Sequence, residues 1–280
     1  MTPQTFTFSP VVQISYEVHG QGPTPVVCLH GFAAARSTWH DLAPLFPADR
    51  FRLYLLDLKG FGFSVKPRDG RYGIRDQAEI VAAFLANLGL REVALVGHSL
   101  GGGIALVVEQ LLRAAGTHGV LSRLVLLDCA AYPQRLPKLF RLLRFPLAGA
   151  ILLRVVPARW IVRYTLPRVF ANQEAITAAI IDRYTGCFSR EGIPYAFVTT
   201  VRQIVPPDYA RIIAGYREVP LPTLILWGRQ DRIIRLHHGE RLAAEIPGAR
   251  LAVIEACGHN PHEERPAETW AAIAPFLIKA

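Results

Sequence analysis

Val93-Ala94-Leu95-Val96-Gly97-His98-Ser99-Leu100-Gly101-Gly102-Gly103 decides the fold. An apolar run of strand length stops at a glycine, and a serine follows two residues later among small residues. Ile104 to Arg113 then reads as a helix. The pattern is G-x-S-x-G between a strand and a helix, the context in which this motif is a sharp turn presenting a nucleophile. Gly97 and Gly101 suit such a turn, because a Cβ at either position would crowd neighbouring backbone. The turn lifts Ser99 above the sheet and sets the N-terminal amides of the helix beneath it. Their partial positive charge suits a developing oxyanion. A five-residue motif also fits an idle serine in a glycine-rich turn. The rest of the chain must therefore supply a base, an acid and a second amide donor.

Strands and helices alternate outward from this stretch. Upstream, Phe6 to Phe8 and Val11 to Val18 read as strands, the second alternating as a half-exposed antiparallel strand does. Val26 to His30 and Phe51 to Asp57 are short apolar strands. Ser37 or Thr38 is expected to cap a helix running to Leu45. The glycines of Leu58 to Ser64 lack the third glycine and following helix of a phosphate loop. Arg75 to Leu88 is an amphipathic helix closed by Gly89. Downstream, Ser122 to Asp128, Leu221 to Gly228 and Leu251 to Glu255 are further strands. His237 to Ile246 and His262 to Leu277 are helices. Such alternation predicts an α/β fold with a doubly wound, mostly parallel sheet.

Between Tyr132 and Gly215 the alternation stops and short helical stretches cut by prolines take over. This segment carries twelve Arg and Lys, from Arg135 and Lys138 to Arg211, against four acids, nearly the whole net charge of +9. We read residues 1–131 and 216–280 as the core, and 132–215 as a helical cap inserted after the sixth strand. Phe140 to Arg154 mixes long apolar side chains with arginine. It fits a lid with an apolar underside and a solvated top, and it fits contact with an anionic membrane or an acidic substrate. Nucleic acid is not expected, since no binding motif accompanies the charge.

Composition bounds the rest. The 280 residues are 51% hydrophobic and 19% charged, which excludes a disordered chain. No apolar run reaches transmembrane length without a charge or proline. Met1 to Phe6 lacks the basic and apolar regions of a signal peptide. The four cysteines, Cys28, Cys129, Cys187 and Cys257, are scattered without metal-ligand spacing and are expected as free thiols. The expectation is a cytoplasmic protein, with membrane association through the basic segment as the variant reading. The chain leaves its oligomeric state open.

Partners for Ser99 lie past two later strands. Leu221 to Gly228 leads into Arg229-Gln230-Asp231, and Leu251 to Glu255 into Ala256-Cys257-Gly258-His259. Functional residues of an open parallel sheet gather at the carboxyl ends of its strands. The order Ser99, Asp231, His259 is that of a nucleophile, its acid and its base on such a sheet. Asp128 also ends a strand and competes for the acid's place. Asn260-Pro261-His262-Glu263 suits a helix start, with Asn260 as cap and Glu263 at the third position. His98 is read as a packed histidine and His30 as a brace for the loop that follows it.

These motifs resemble the α/β-hydrolase superfamily, in its capped, single-domain branch of small serine esterases and related hydrolases. The resemblance rests on His30-Gly31-Phe32, Asp57 to Ser64, Gly97 to Gly102, Trp227 to Asp231 and Gly258 to His262, collinear from about Val26 to Phe276. It implies a triad of Ser99, Asp231 and His259, and an oxyanion hole from the backbone amides of Phe32 and Leu100. Asp231 is preferred to Asp128 because its loop carries the family pattern. The chemistry implied is hydrolysis of a small-molecule ester of an apolar acyl group through an acyl-enzyme, with no cofactor and no metal. Carbon–carbon bond hydrolases also use a serine triad, but many carry tryptophan directly after the histidine, where this chain has Asn260. A weakly hydrolytic ligand receptor is the third reading.

Overall fold

A computed structural model describes residues 3–134 and 141–278. Arg135, Pro137, Lys138 and Phe140 of the sequence reading lie outside the described residues. Eight strands form one sheet: β1 (Gln4–Ser9), β2 (Val12–His19), β3 (Thr24–Leu29), β4 (Phe51–Leu56), β5 (Val93–His98), β6 (Leu121–Leu127), β7 (Thr223–Gly228) and β8 (Arg250–Ile254). Their spatial order is β1-β2-β4-β3-β5-β6-β7-β8. β1 pairs antiparallel with β2, and β2 with β4, while every later pair is parallel.

Parallel strands buried on both faces read as unbroken apolar runs, and the side chains divide accordingly. Val27, Leu95, Leu126 and Ile225 face a core shared with α1 (Ile74–Asn87) and α2 (Leu100–Ala114). Val26, Val96, Leu127 and Leu226 face a second core with Trp39, Phe46 and Ile273.

After β6 the chain leaves the sheet for α3 (Pro146–Val155), α4 (Ala158–Val169), α5 (Ala178–Phe188), α6 (Ile193–Gln203) and α7 (Tyr209–Ala214), and returns at β7. α8 (His237–Glu245) then precedes β8, and α9 (Pro261–Glu264) and α10 (Pro266–Ile278) close the chain. Among the described residues no helix is long and apolar enough to cross a membrane. All four cysteines are free and buried.

Two local expectations need correction. No α-helix is capped by Ser37 or Thr38. Two short 3-10 turns, Arg36–Trp39 and Ala43–Leu45, stand there instead, with Ala35 preceding the first. The cause is Arg36, whose amide and guanidinium are both drawn inward to the Asp57 carboxylate. The final helix is also two helices. Arg265 breaks it at φ −139° and ψ 58°, directly before Pro266, as a residue preceding proline tends to leave the helical region.

Candidate active site

Ser99 occupies the turn between β5 and α2. Its φ is 52° and its ψ −115°, outside the basins a non-glycine residue prefers. The surrounding backbone holds it there. The Ser99 amide donates to the Leu127 carbonyl at 2.9 Å, and its own carbonyl accepts from Gly102, Gly103 and Ala130. The glycine requirement is steric: a Cβ on Gly97 would lie 2.4 Å from the Gly101 carbonyl oxygen, and one on Gly101 would lie 2.2 Å from that of Leu29. Leu100 is the first residue of α2, so no carbonyl of the same helix can accept its N–H.

The structure brings Ser99, His259 and Asp231 together from the ends of β5, β8 and β7. His259 Nε2 lies 3.0 Å from Ser99 Oγ, and His259 Nδ1 lies 2.7 Å from Asp231 Oδ2. The Ile233 and Ile234 amides donate to Asp231 Oδ1 at 2.7 and 3.0 Å. That leaves Oδ2 to accept Nδ1–H, which places the imidazole lone pair on Nε2, facing the serine. All three side chains are buried.

Asp128 ends β6 behind Asp231. One of its oxygens accepts the Gly228 amide at 3.0 Å. Burial, and then the charge of Asp231, raise the Asp128 carboxyl well above the usual carboxylate range. A raised value favours the protonated form, and the carboxyl serves the Asp231 loop as the acceptor of the Gly228 amide.

The His30-Gly31-Phe32 loop is tied to the loop after β4. His30 Nε2 accepts the Leu58 amide at 3.0 Å, so its Nδ1 carries the proton and donates to the Gly31 carbonyl at 2.8 Å. Arg36, buried, binds Asp57 and donates to Ser15 Oγ at 2.9 Å and Glu17 Oε1 at 2.8 Å. The second Asp57 oxygen also accepts from the Phe63 amide at 2.8 Å. The Asp57 to Ser64 stretch thus works as a scaffold for the neighbouring loop.

Phe32, Ser99, Leu100 and His259 line one cleft whose roof is the helical segment: Leu166 and Val169 from α4, Phe188 from α5, Val201 from α6. Its wall at Ala130 and Ile204 is shared with a second apolar pocket beyond, bounded by Ile74, Val107 and Tyr216.

Several supports were not legible in the sequence. His98 is packed, as its position suggests, but it also donates Nε2–H to the His259 carbonyl at 2.7 Å. Burial, and then His262 and His259, push its pKa well down, so it stays neutral. Glu264 accepts the amides of Gly258, Ala171 and Asn172, fastening the His259 loop to the end of α4. Asn260 precedes α9 as expected, but its side chain caps nothing. It donates instead to Tyr184 and Glu263. The ties from His98 to His259, from Glu264 to Ala171 and Asn172, and from Asn260 to Tyr184 have no sequence signal, because those partners lie tens of residues apart.

Comparison with known proteins places this arrangement. The model of the alpha/beta hydrolase family matches residues 26–272, and the chain belongs to that family. It is 29% identical over 272 residues to the uncharacterized hydrolase YugF of Bacillus subtilis (strain 168), covering 95% of this chain and 94% of that one. It is 27% identical over 270 residues to a 2-hydroxymuconate semialdehyde hydrolase of Pseudomonas putida, covering 94% and 90%. The structure superposes on a thermophilic esterase from Thermogutta terrifontis with a TM-score of 0.81 at 25% identity, covering 100% of this chain and 99% of that one.

Proposed function

We propose that the protein is a serine hydrolase of carboxylic esters with apolar acyl groups. The observation that carries this reading is the hydrogen-bonded line Asp231–His259–Ser99 opening into an apolar cleft. Ser99 Oγ attacks the ester carbonyl and passes its proton to His259 Nε2, while Asp231 holds the imidazole and stabilises the imidazolium. The amides of Phe32 and Leu100 receive the oxyanion. His259 then protonates the leaving alcohol, an acyl-Ser99 remains, and water activated by the same histidine releases the acid. Residues 132–215 serve as the cap that closes over the acyl group.

Carbon–carbon bond hydrolysis would use the same three residues, and the Pseudomonas putida relative keeps that reading in play. The cleft favours a neutral ester. Among the described residues no lysine or arginine lines it, so an anionic substrate such as a muconate would meet no counter-charge on entering. Asn260 is also engaged by Tyr184 and Glu263.

A panel of p-nitrophenyl esters of graded acyl length, run beside a vinylogous carbon–carbon substrate, tests the reading. Turnover of the esters, falling only at the shortest acyl groups, is expected. Turnover of the carbon–carbon substrate alone, or of neither, overturns it.

A further inference from the structure

Two consecutive helices of the inserted segment hold large apolar side chains in water. On α3, Leu147, Ile151 and Val155 are exposed at every fourth position, a stripe down one face, with Leu147 81% and Val155 72% exposed. The opposite face is the packed one. A Cβ on Gly149 would lie 2.9 Å from Leu143 and 3.0 Å from Val198 of α6, so α3 sits hard against its neighbours on that side. Only Val156 and Pro157 separate α3 from α4. There Trp160, 72% exposed, and Tyr164 are also exposed, one turn apart.

The charges around this surface are mostly positive: Asp182, paired with Arg159, and Glu191 are the acids beside it among the described residues. Arg144, Arg154 and Arg163 are exposed and form no ion pair among the described residues. Arg154 also borders an open groove lined by Lys66, Arg68 and Arg190, in which Glu191 is the one acid among the described lining residues. Large apolar side chains exposed together and rimmed by polar residues mark an interaction surface. A narrow apolar stripe with arginine flanks and an exposed tryptophan matches a helix lying in the headgroup boundary of a membrane. A second copy fits poorly, because a self-complementary contact would set this basic rim against itself.

We propose that α3 and α4 dock the protein on an anionic lipid bilayer, Leu147, Ile151, Val155 and Trp160 entering the headgroup–acyl boundary while the flanking arginines meet lipid phosphates. Docking is independent of the hydrolytic reading, since Ser99 takes no part in it.

The test is co-sedimentation of the full chain with vesicles of phosphatidylcholine alone and of phosphatidylcholine mixed with phosphatidylglycerol. Binding to the mixed vesicles at low salt, weakened at high salt and at least about tenfold poorer on the neutral ones, is expected. Leu147→Ser/Ile151→Ser weakens it about tenfold or more, and Arg154→Glu/Arg163→Glu about thirtyfold. Ser99→Ala binds as the parent does. The two double variants keep the parent's thermal midpoint, because the substituted side chains are exposed. Failure to sediment with anionic vesicles at low salt overturns the proposal, as does unchanged binding by either double variant. A dimer that Leu147→Ser/Ile151→Ser dissociates, with no vesicle binding by the parent, overturns it in favour of self-association.

Discussion

Ser99 is held at φ 52° by four backbone hydrogen bonds, so its Oγ is aimed at His259 before any substrate arrives. Strain of this kind persists only where the surroundings over-determine the backbone. Ser99→Ala is expected to lower kcat/KM by at least about 10⁴-fold, measured on the best p-nitrophenyl ester. The two aspartates are expected to separate sharply. Asp231→Asn removes the acceptor for Nδ1–H and is expected to cost about 10⁴ in kcat. Asp128→Asn keeps a carbonyl oxygen to accept the Gly228 amide and is expected to change kcat less than tenfold. His98→Leu leaves the His259 carbonyl buried without its donor, a loss of about 1–3 kcal/mol in unfolding free energy. The three residues of the line were legible because each follows a strand in a locally distinctive turn. The link from His98 to the His259 carbonyl was not, since it spans 161 positions.

At the scale of elements, the His259 loop is a bridge between the sheet and the inserted helices. Glu264 ties it to the end of α4, and Glu263 ties α9 to α5 through Tyr184 and Arg183. Burial pushes Glu263 up to about 7, partly offset by Arg183. Its folded value exceeds its unfolded one, so the stability it contributes is full below the ordinary glutamate range and is lost as pH rises through about 7. The thermal midpoint of Glu263→Gln, compared with the parent's at pH 5 and pH 8, is expected to show a smaller fall across that interval. An equal fall in both would remove Glu263 from this role. The strands were read correctly because a parallel sheet buried on both faces imposes long apolar runs. The first turns after β3 were misread because Ser37 and Thr38 look like caps, whereas a buried Arg36 sets the backbone there. The break at Arg265 shows the same limit, for the helical pattern runs through a residue whose backbone leaves the helix.

For the whole molecule, the strand ends of the sheet hold Ser99, Asp231 and His259, and the helices after β6 roof the cleft they open into. The cleft is apolar from Phe32 to Phe188 and adjoins a second apolar pocket past Ala130 and Ile204. Leu166, 2% exposed, stands over it. Leu166→Trp is expected to reduce turnover of long-chain p-nitrophenyl esters more than tenfold while sparing the acetate, read as the ratio of kcat/KM values along the panel. The segment's helical nature and charge were readable from its prolines and arginines. Its packing was not, because apolar residues occur on both its buried and its exposed faces, and only the fold tells them apart.

The proposed nucleophile is Ser99, activated by His259. This assignment is tested most directly by treating the protein with a fluorophosphonate and mapping the adduct by peptide mass spectrometry. A single adduct on Ser99 is expected, absent in Ser99→Ala and formed far more slowly in His259→Ala. An unlabelled protein, or an adduct whose formation ignores His259, would contradict it.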